Sequence, residues 1–485
     1  MNNRRNFLKG IFCVGTGLAA APTVFARHQG HYEPGMQMGG PPSRLAAGAP
    51  VPLVTPDVAD LPWQMEGGVK VFHLVAEPVK REIFPGRIID LWGYNGTAPG
   101  PTIQVTTGDR VRIIVENNLP EPTSMHWHGF EIPVDQDGMP GISQQPIPPG
   151  GRYVYEFTVH QEGTFFYHSH MAMQEMLGMI GLFIMHPRRA YRPRVDHDFG
   201  FILQEYAILP NSSIPNTMSM EFNWLTMNGK SAPTTTPLIV KLGDRVRMRW
   251  VNLGMDHHPI HVHGHTFAVT GSEAGRQPET MWGPKNTVLV GVAEAVDVEF
   301  VANNPGDWMV HCHLPHHMMN QMSSIVGPMT RGGRGMPAGG GMGEGMGIVR
   351  QGNGTAEELG PSLGRGMGFG NDRQNLTTNS ALSAARAQEA MQHQGMQHGG
   401  MAQLEVSPNA NQVPGFPQDA FMAMHATGME DMVAKPETEG LPKGWTQGMM
   451  GMMTLLRVLP PDKYKQIQAL RLQQRGPQPM HHHHG

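Results

Sequence analysis

From Gly67 to Met185 the chain runs in short alternations of apolar and polar residues with turn residues between them. Val69-Lys70-Val71-Phe72-His73-Leu74-Val75 and Arg110-Val111-Arg112-Ile113-Ile114-Val115 are two such runs. A period of two sends successive side chains to opposite faces, so these runs predict strands rather than helices. The same pattern continues from Phe199 to Ile325. After Thr330 it gives way to Gly-Met-Arg repeats and then to a polar Gln/Ala/Asn stretch, which predicts a flexible linker over 331–403. Residues 404–485 predict a short helical, Met-rich tail with helices from Asp419 to Val433 and from Asp462 to Leu472, the second following Pro460-Pro461. Residues 27–64, rich in Gly and Pro, predict an extended arm.

The strand region repeats itself. Gly108-Asp109-Arg110-Val111-Arg112 recurs as Gly243-Asp244-Arg245-Val246-Arg247, and the same offset of 135 carries His126 onto His261 and His128 onto His263. Gly163-Thr164-Phe165-Phe166-Tyr167-His168-Ser169-His170 recurs as Gly306-Asp307-Trp308-Met309-Val310-His311-Cys312-His313 at an offset of 143. Two copies of an all-β unit of roughly 130 residues predict a pair of Greek-key β-sandwiches, one over 65–190 and one over 191–330.

Composition adds the chemistry. Among 485 residues there are 26 His and 38 Met but only 2 Cys. That excludes a disulfide scaffold and a Cys-only zinc site, and it supplies ligand types that suit copper. Four His-x-His pairs fall at matching repeat positions: His126/His128, His168/His170, His261/His263 and His311/His313. On a strand, residues i and i+2 share a face about 6.6 Å apart, so each pair offers two imidazoles to one space. A single histidine is ordinarily a surface or packed residue. Eight at repeat-matched positions are too many for one ion and point to a cluster of ions at the junction of two pseudo-symmetric domains. The copies also differ. His258, Cys312 and His317 stand where the first copy has Thr123, Ser169 and Gln174, and Met322 follows Cys312 by ten residues. Two His, one Cys and a weak axial Met make the blue-copper electron-transfer set, and His311-Cys312-His313 joins that set to the cluster by covalent bonds. His257, His265 and His316 have no repeat counterpart with a role; His265 reads as a structural residue or one that supports the ligands, and His257 and His316 as bland neighbours or as lining for the surface over the blue-copper set.

The first residues address the compartment. Arg4-Arg5 precedes Phe7-Leu8-Lys9, an apolar run from Ile11 to Ala21 and small residues at Val24-Phe25-Ala26. This predicts a twin-arginine signal peptide over 1–26 and a periplasmic or secreted protein exported already folded. Cleavage would remove Cys13 and leave Cys312 without a disulfide partner in the chain. No later run reaches the roughly 18 apolar residues of a membrane span. The net charge of −4 offers no basic field for nucleic acid. His481 to His484 is either native or a purification tag.

His126-Trp127-His128-Gly129, His168-Ser169-His170, His258-Pro259-Ile260-His261-Val262-His263-Gly264 and His311-Cys312-His313, with His317 and Met322 beyond, resemble the four copper motifs of the multicopper oxidases, and most of all their bacterial two-domain, laccase-like group. The resemblance covers about residues 65–330. It implies cupredoxin folds, a homotrimer, and four copper ions: one type 1, one type 2 and two type 3. Carried over by position, His258, Cys312, His317 and Met322 would hold type 1 copper and His126 and His261 type 2. His128, His168 and His313 would hold one type 3 ion, and His170, His263 and His311 the other. The implied activity couples four one-electron oxidations of a small reductant to reduction of O2 to water, with electrons entering near His317 and passing through Cys312. Asp137 matches an acid that supports proton delivery in this family, although Asp137-Gly138 is also a common turn dipeptide. Met318 replaces the acid that many three-domain relatives carry after the last type 1 His.

The expected donor is a phenol or aromatic amine. The alternative is a metallo-oxidase of Cu(I), or less readily of Fe(II) or Mn(II). Met336, Met342, Met346, Met391, His393, Met396 and His398, with Met449, Met450, Met452 and Met453, would suit copper capture, or serve only as spacer and packing. Two rivals remain: a copper nitrite reductase, which carries its type 1 site in the first domain, and a non-enzymatic copper-binding protein.

Overall fold

The alternating runs of the first repeat pair into two facing sheets. In the computed structural model, which describes residues 48–208, 212–217, 220, 222–318 and 429–474, domain 1 contains β1 (Trp63–Glu66), β2 (Val69–Phe84), β3 (Arg87–Tyr94), β4 (Ile103–Thr106), β5 (Arg110–Asn117), β6 (His126–His128), β7 (Arg152–Thr158), β8 (Gly163–His168) and β9 (Ile180–His186). One sheet runs β1-β2-β5-β7 with β3 on β2, and the other runs β4-β9-β8-β6. Phe72, Ile113, Tyr155, Val105, Trp127, Phe165 and Phe183 fill the space between them, each sent inward by the two-residue period.

Domain 2 repeats the plan. Its strands are β10 (His197–Tyr206), β11 (Trp224–Met227), β12 (Leu238–Lys241), β13 (Arg245–Asn252), β14 (His258–Val262), β15 (Phe267–Ser272), β16 (Gly275–Arg276), β17 (Pro284–Lys285), β18 (Thr287–Val290), β19 (Glu294–Val301), β20 (Gly306–Cys312) and β21 (Met453–Leu459). One sheet runs β11-β10-β13-β19-β15-β16 with β17 on β15, and the other runs β12-β21-β20-β14-β18.

The strand β21 corrects the expected boundary of domain 2 at residue 330 and the expected helical character of the whole tail. It pairs in parallel with β12 and antiparallel with β20, as β9 pairs with β4 and β8 in domain 1. Met453 lies opposite His311 and Ile180 opposite His168. The closing strands are therefore related by an offset of 273, against 143 for β8 and β20, so the second copy inserts 130 more residues before its sheet is finished. Alternation does not reveal β21 because both its faces are covered. Leu456 and Val458 enter the sandwich core, while Met453 and Leu455 pack with Ala232 and Met449 on the other side. A strand buried on both faces reads as an apolar run. Met449, Met452 and Met453 are core residues, not surface thioethers. The second predicted tail helix is present as α1 (Pro461–Gln474), with proline at its first position and Ile467 against Ile239 and Leu459.

The expected signal (1–26), the linker (331–403), Met322, Met336, Met342, Met346, Met391, His393, Met396, His398 and His481 to His484 lie outside the described residues. So does residue 419–428 of the first predicted tail helix; residues 429–433 form turns. Part of the expected arm is anchored: Leu53 is buried, Val54 N–H donates to Asp198 O (2.8 Å) and Leu61 N–H to Thr102 O (2.8 Å).

The two domains meet sheet to sheet. Phe166, Ile180, Leu182 and Ile184 of domain 1 pack on Ile202, Val251 and Ala295 of domain 2. Beside them lies a buried polar net. Arg249 donates to Asp198 (Nε–Oδ1 2.8 Å) and to Thr164 (2.7 Å), and Thr164 donates to Asp297 (2.6 Å). The pairing offsets the desolvation of these charges.

Leu456→Ala empties a fully buried position in β21 and is expected to cost about 2–5 kcal/mol. In a thermal scan the melting temperature should fall by at least about 4 °C; an unchanged value would mean that β21 is not part of the domain.

Candidate metal centre

The eight paired histidines form two matched groups, one per domain. In β6 and β8 the ladder sets His126 opposite His168, and in β14 and β20 it sets His261 opposite His311. Ring centroids of His126 lie 5.7, 5.3 and 5.4 Å from those of His128, His168 and His170. Those of His261 lie 4.7, 5.7 and 5.6 Å from His263, His311 and His313.

Backbone carbonyls hold the rings the same way in both groups. His126 Nδ1 meets Asp137 O (2.8 Å) and His261 Nδ1 meets Asn286 O (2.6 Å). His168 Nδ1 meets Ser169 O (2.8 Å) and His311 Nδ1 meets Cys312 O (2.7 Å). A carbonyl can only accept, so each Nδ1 carries the proton and each Nε2 presents its lone pair to the shared space. There His128 Nδ1 approaches His168 Nε2 (3.4 Å), and His263 Nε2 approaches His311 Nε2 (2.9 Å). Burial and the neighbouring rings push His128 down to about 4 and hold His263 and His311 below the usual histidine range. Neutral imidazoles whose ring nitrogens converge on one space are a donor set for metal. Among the described residues no ring contact joins one group to the other. His170 and His313 leave each group an exposed edge.

Behind the second group lies a buried triangle. Cys312 Sγ is 3.4 Å from His317 Nδ1 and 3.8 Å from His258 Nδ1, and the two Nδ1 atoms are 3.2 Å apart. Ligands about 2.0–2.3 Å from one ion at trigonal angles stand roughly 3.5–3.8 Å apart, so these atoms fit a single metal. Burial pushes the Cys312 thiol up to about 12, so a metal must displace its proton to bind. Both outer nitrogens are oriented by carboxylates: His258 Nε2 by the fully buried Glu205 (3.1 Å), His317 Nε2 by Asp256 (3.3 Å). Glu205 also accepts the N–H groups of Met255 and Asp256. Gly254 is required there, because a Cβ would lie 2.1 Å from Glu205 Oε2.

The equivalent place in domain 1 is closed. Thr123 and Ser169 both donate to Gln174 Oε1 (2.8 and 2.6 Å), and Gln174 donates to Glu121 (2.9 Å). Three ligand positions have become a satisfied hydrogen-bond cluster, an arrangement opposite to that of a nitrite reductase with its type 1 site in the first domain.

The same comparison finds a residue that sequence spacing missed. In domain 1, Ser169 N–H donates to Met179 O (3.1 Å) and Met179 N–H to Gln174 O (3.3 Å). In domain 2, Cys312 N–H donates to Met452 O (3.0 Å) and Met452 N–H to His317 O (3.0 Å). Met452 is fully buried in the core cluster that contains Cys312. Gly451-Met452 matches Gly178-Met179 in the sequence, but at an offset no short alignment would try.

Asp137 stands at the first group, its Oδ1 3.4 Å from His126 Nδ1. Gly138 permits this: it has φ of +82°, and a Cβ would lie 1.7 Å from Met125 O. Glu175 Oε2 lies 3.3 Å from His168 Nδ1, a carboxylate that sequence reading did not single out. His265 is buried against Phe300 and Trp308 with Nδ1 on His263 O (3.0 Å), consistent with a packing residue. His257 accepts the Val292 N–H (3.1 Å) at the surface. The His317 side chain is completely buried, so Asp256 and His316 cover the edge expected to face the donor.

Multicopper oxidase family models match residues 80–190 and 208–327. Copper resistance protein A of Pseudomonas syringae pv. tomato is 34% identical over 146 residues, 30% of this chain and 24% of that protein. Laccase-2 of Botryotinia fuckeliana is 33% identical over 239 residues, 44% of this chain and 40% of that protein. The chain thus spans less than half the length of these two curated relatives. The crystal structure of blue copper oxidase from Nitrosomonas europaea is 32% identical, covering 51% of this chain and 80% of that one, with a TM-score of 0.47. Two multicopper oxidase family matches, which between them take in every histidine pair, place the chain in the multicopper oxidase family.

Proposed function

We propose that this protein is a laccase-like oxidase that takes single electrons from a small reductant, a phenol or aromatic amine, and uses four of them to reduce O2 to water. The buried His258–Cys312–His317 triangle, joined through His311 and His313 to an open imidazole group, is the observation that carries the reading. When bound, copper supplies one-electron exchange at the triangle and four-electron O2 reduction at the imidazoles.

The chain's own residues divide the work. His258, Cys312 and His317 would hold type 1 copper, and Met452, whose backbone bonds to Cys312 and His317, would supply its thioether instead of Met322. Glu205 and Asp256 fix the outer nitrogens of the two histidines and so hold ligand geometry while charge changes. The backbone between Cys312 and its neighbours is the shortest covalent route to the imidazole group. Asp137 brings protons from solvent to the His126 side, and Glu175 does so on the His168 side, which compensates for Met318.

Each domain holds half of the cluster ligands. Type 2 copper falls to His126 and His261, and the two type 3 ions to His128, His168 and His313 and to His170, His263 and His311. Exposed edges on both groups, with no ring contact between them among the described residues, favour completion of the cluster between chains of a homotrimer. A periplasmic location, by the twin-arginine route expected from Arg4-Arg5, suits such an enzyme. The similarity to copper resistance protein A favours a second reading, oxidation of Cu(I) in copper tolerance.

Copper analysis of the purified holoprotein should give four ions per chain, and oxygen uptake should accompany oxidation of a phenol or Cu(I). Appreciably less copper, or no uptake with any reductant, would overturn the reading. Cys312→Ser is expected to abolish both the blue colour and oxygen uptake. His168→Ala should keep the colour and lose at least about 100-fold in turnover; full turnover would refute the cluster assignment. Met452→Leu should alter the type 1 absorption and raise its reduction potential, whereas Met322→Leu should leave both as in wild type. The reverse pattern would restore Met322 as the axial ligand.

A further inference from the structure

All three residues of the triangle, His258, Cys312 and His317, are fully buried, so a metal ion has no way to them through the closed fold. One of the layers over them is built differently from the sheets. Residues 429–452 lead into β21 as turns and two short 3-10 helices, Pro436–Thr438 and Trp445–Gly448, with one isolated bridge, Gly451 to Ala232, among the described residues. Their backbone–backbone hydrogen bonds to the described remainder of the chain lie at the triangle end. There Gly451 O accepts from Ala232 N–H (2.9 Å), Met452 O accepts from Cys312 N–H (3.0 Å) and Met452 N–H donates to His317 O (3.0 Å). Gly451 permits this approach, since a Cβ there would lie 2.1 Å from His317 O. The other end is held by side chains. Met429 and Val433 join the cluster of Val79, Ile83 and Phe84 in domain 1. The Lys435 ammonium, on a side chain 28% exposed, donates to Asp57 Oδ1 (3.0 Å), Thr234 O (2.7 Å) and Thr236 Oγ1 (2.7 Å).

We propose that residues 429–452 are a strap that opens locally to admit copper to the triangle and then closes over it, with Met452 arriving last. This rests on the type 1 assignment made above and concerns how that site is loaded. A segment outside the strand ladders opens at a lower free energy than the sheets beneath it, because few long-range backbone bonds must break. Release of the Lys435 clasp and of the two Met452 bonds uncovers Cys312 and His317. The ladder of β14 and β20, with Ile260 opposite Cys312, meanwhile keeps His258 and Cys312 at their positions. The ligands therefore need not unfold to be reached.

Loading is a ligand exchange. The Cys312 S–H bond breaks as a sulfur–metal bond forms, the proton leaves to water, and no electron is transferred. Closure then shuts water out, so slow entry and slow loss of the ion have one cause.

The test uses metal-free, full-length protein in which Cys13→Ser leaves Cys312 as the sole thiol. Two rates are followed under argon: labelling of Cys312 by a thiol reagent, and formation of the blue colour with a fixed excess of Cu(II). Lys435→Met removes the clasp. Asp57→Asn weakens it from the other side, and Asn suits the left-handed backbone at position 57 (φ +64°). In both variants both rates should rise at least tenfold, and the loaded protein should lose its colour to a chelator at least tenfold faster. Met248 is fully buried on β13, in the sheet that does not carry the triangle, so Met248→Ala weakens the domain as a whole. It should leave both rates nearly unchanged. Rates unaltered in both clasp variants, or raised as much by Met248→Ala, would overturn the strap. A wild type that never turns blue would instead overturn the type 1 assignment, and the labelling rates would still decide the strap.

Discussion

Side-chain alternation along β20 is the constraint on which the centre depends. Successive residues of a strand face opposite ways, so His311 and His313 turn toward the imidazole group while Cys312 turns into the sandwich core. One tripeptide therefore reaches two metal environments of different character. One is a neutral, partly open group of rings, and the other a dry triangle of two imidazoles and a thiol. A one-residue slip in the ladder would exchange them. The register is held on one side by β14, with His261 opposite His311, and on the other by β21, with Met453 opposite His311.

The second flanking strand makes the inserted segment consequential. Residues far beyond His317 in sequence return to the triangle, with Met452 bonded through its backbone to both Cys312 and His317. All three residues of the triangle precede the insertion, but the sheet that supports them closes only when the far part docks. Loop-closure cost grows slowly with length, so a long insertion here is tolerable provided the returning strand buries enough surface. Both faces of β21 are buried.

Burial supplied by a neighbour rather than by the residue's own element escapes the sequence elsewhere as well. Arg112 and Arg247 occupy the same repeat position. In domain 1 the arginine pairs with Glu156 at the surface, with a third of its side chain exposed. In domain 2 the face it lies on meets domain 1, and Arg247 and Arg249 are buried against Asp198 and Glu299. Likewise Met449, Met452 and Met453 look like copper-capturing thioethers only until β21 is seen to lie between two layers.

What the sequence by itself determined was everything governed by local period and by duplication: the strands, the two-domain plan, and the paired histidines with the lone cysteine among them. These follow from geometry within a few residues, and a repeat displays each position twice, so Thr123, Ser169 and Gln174 mark by contrast what His258, Cys312 and His317 do. What only the tertiary structure decided was which distant segment completes each unit: β21, with the Met452 backbone, beside the triangle, Glu205 and Asp256 for its histidines, and the domain contact that buries Arg249. Those pairings depend on where chain segments far apart in sequence come to rest, and no local pattern encodes a contact whose other half lies 51, 61 or 85 residues away.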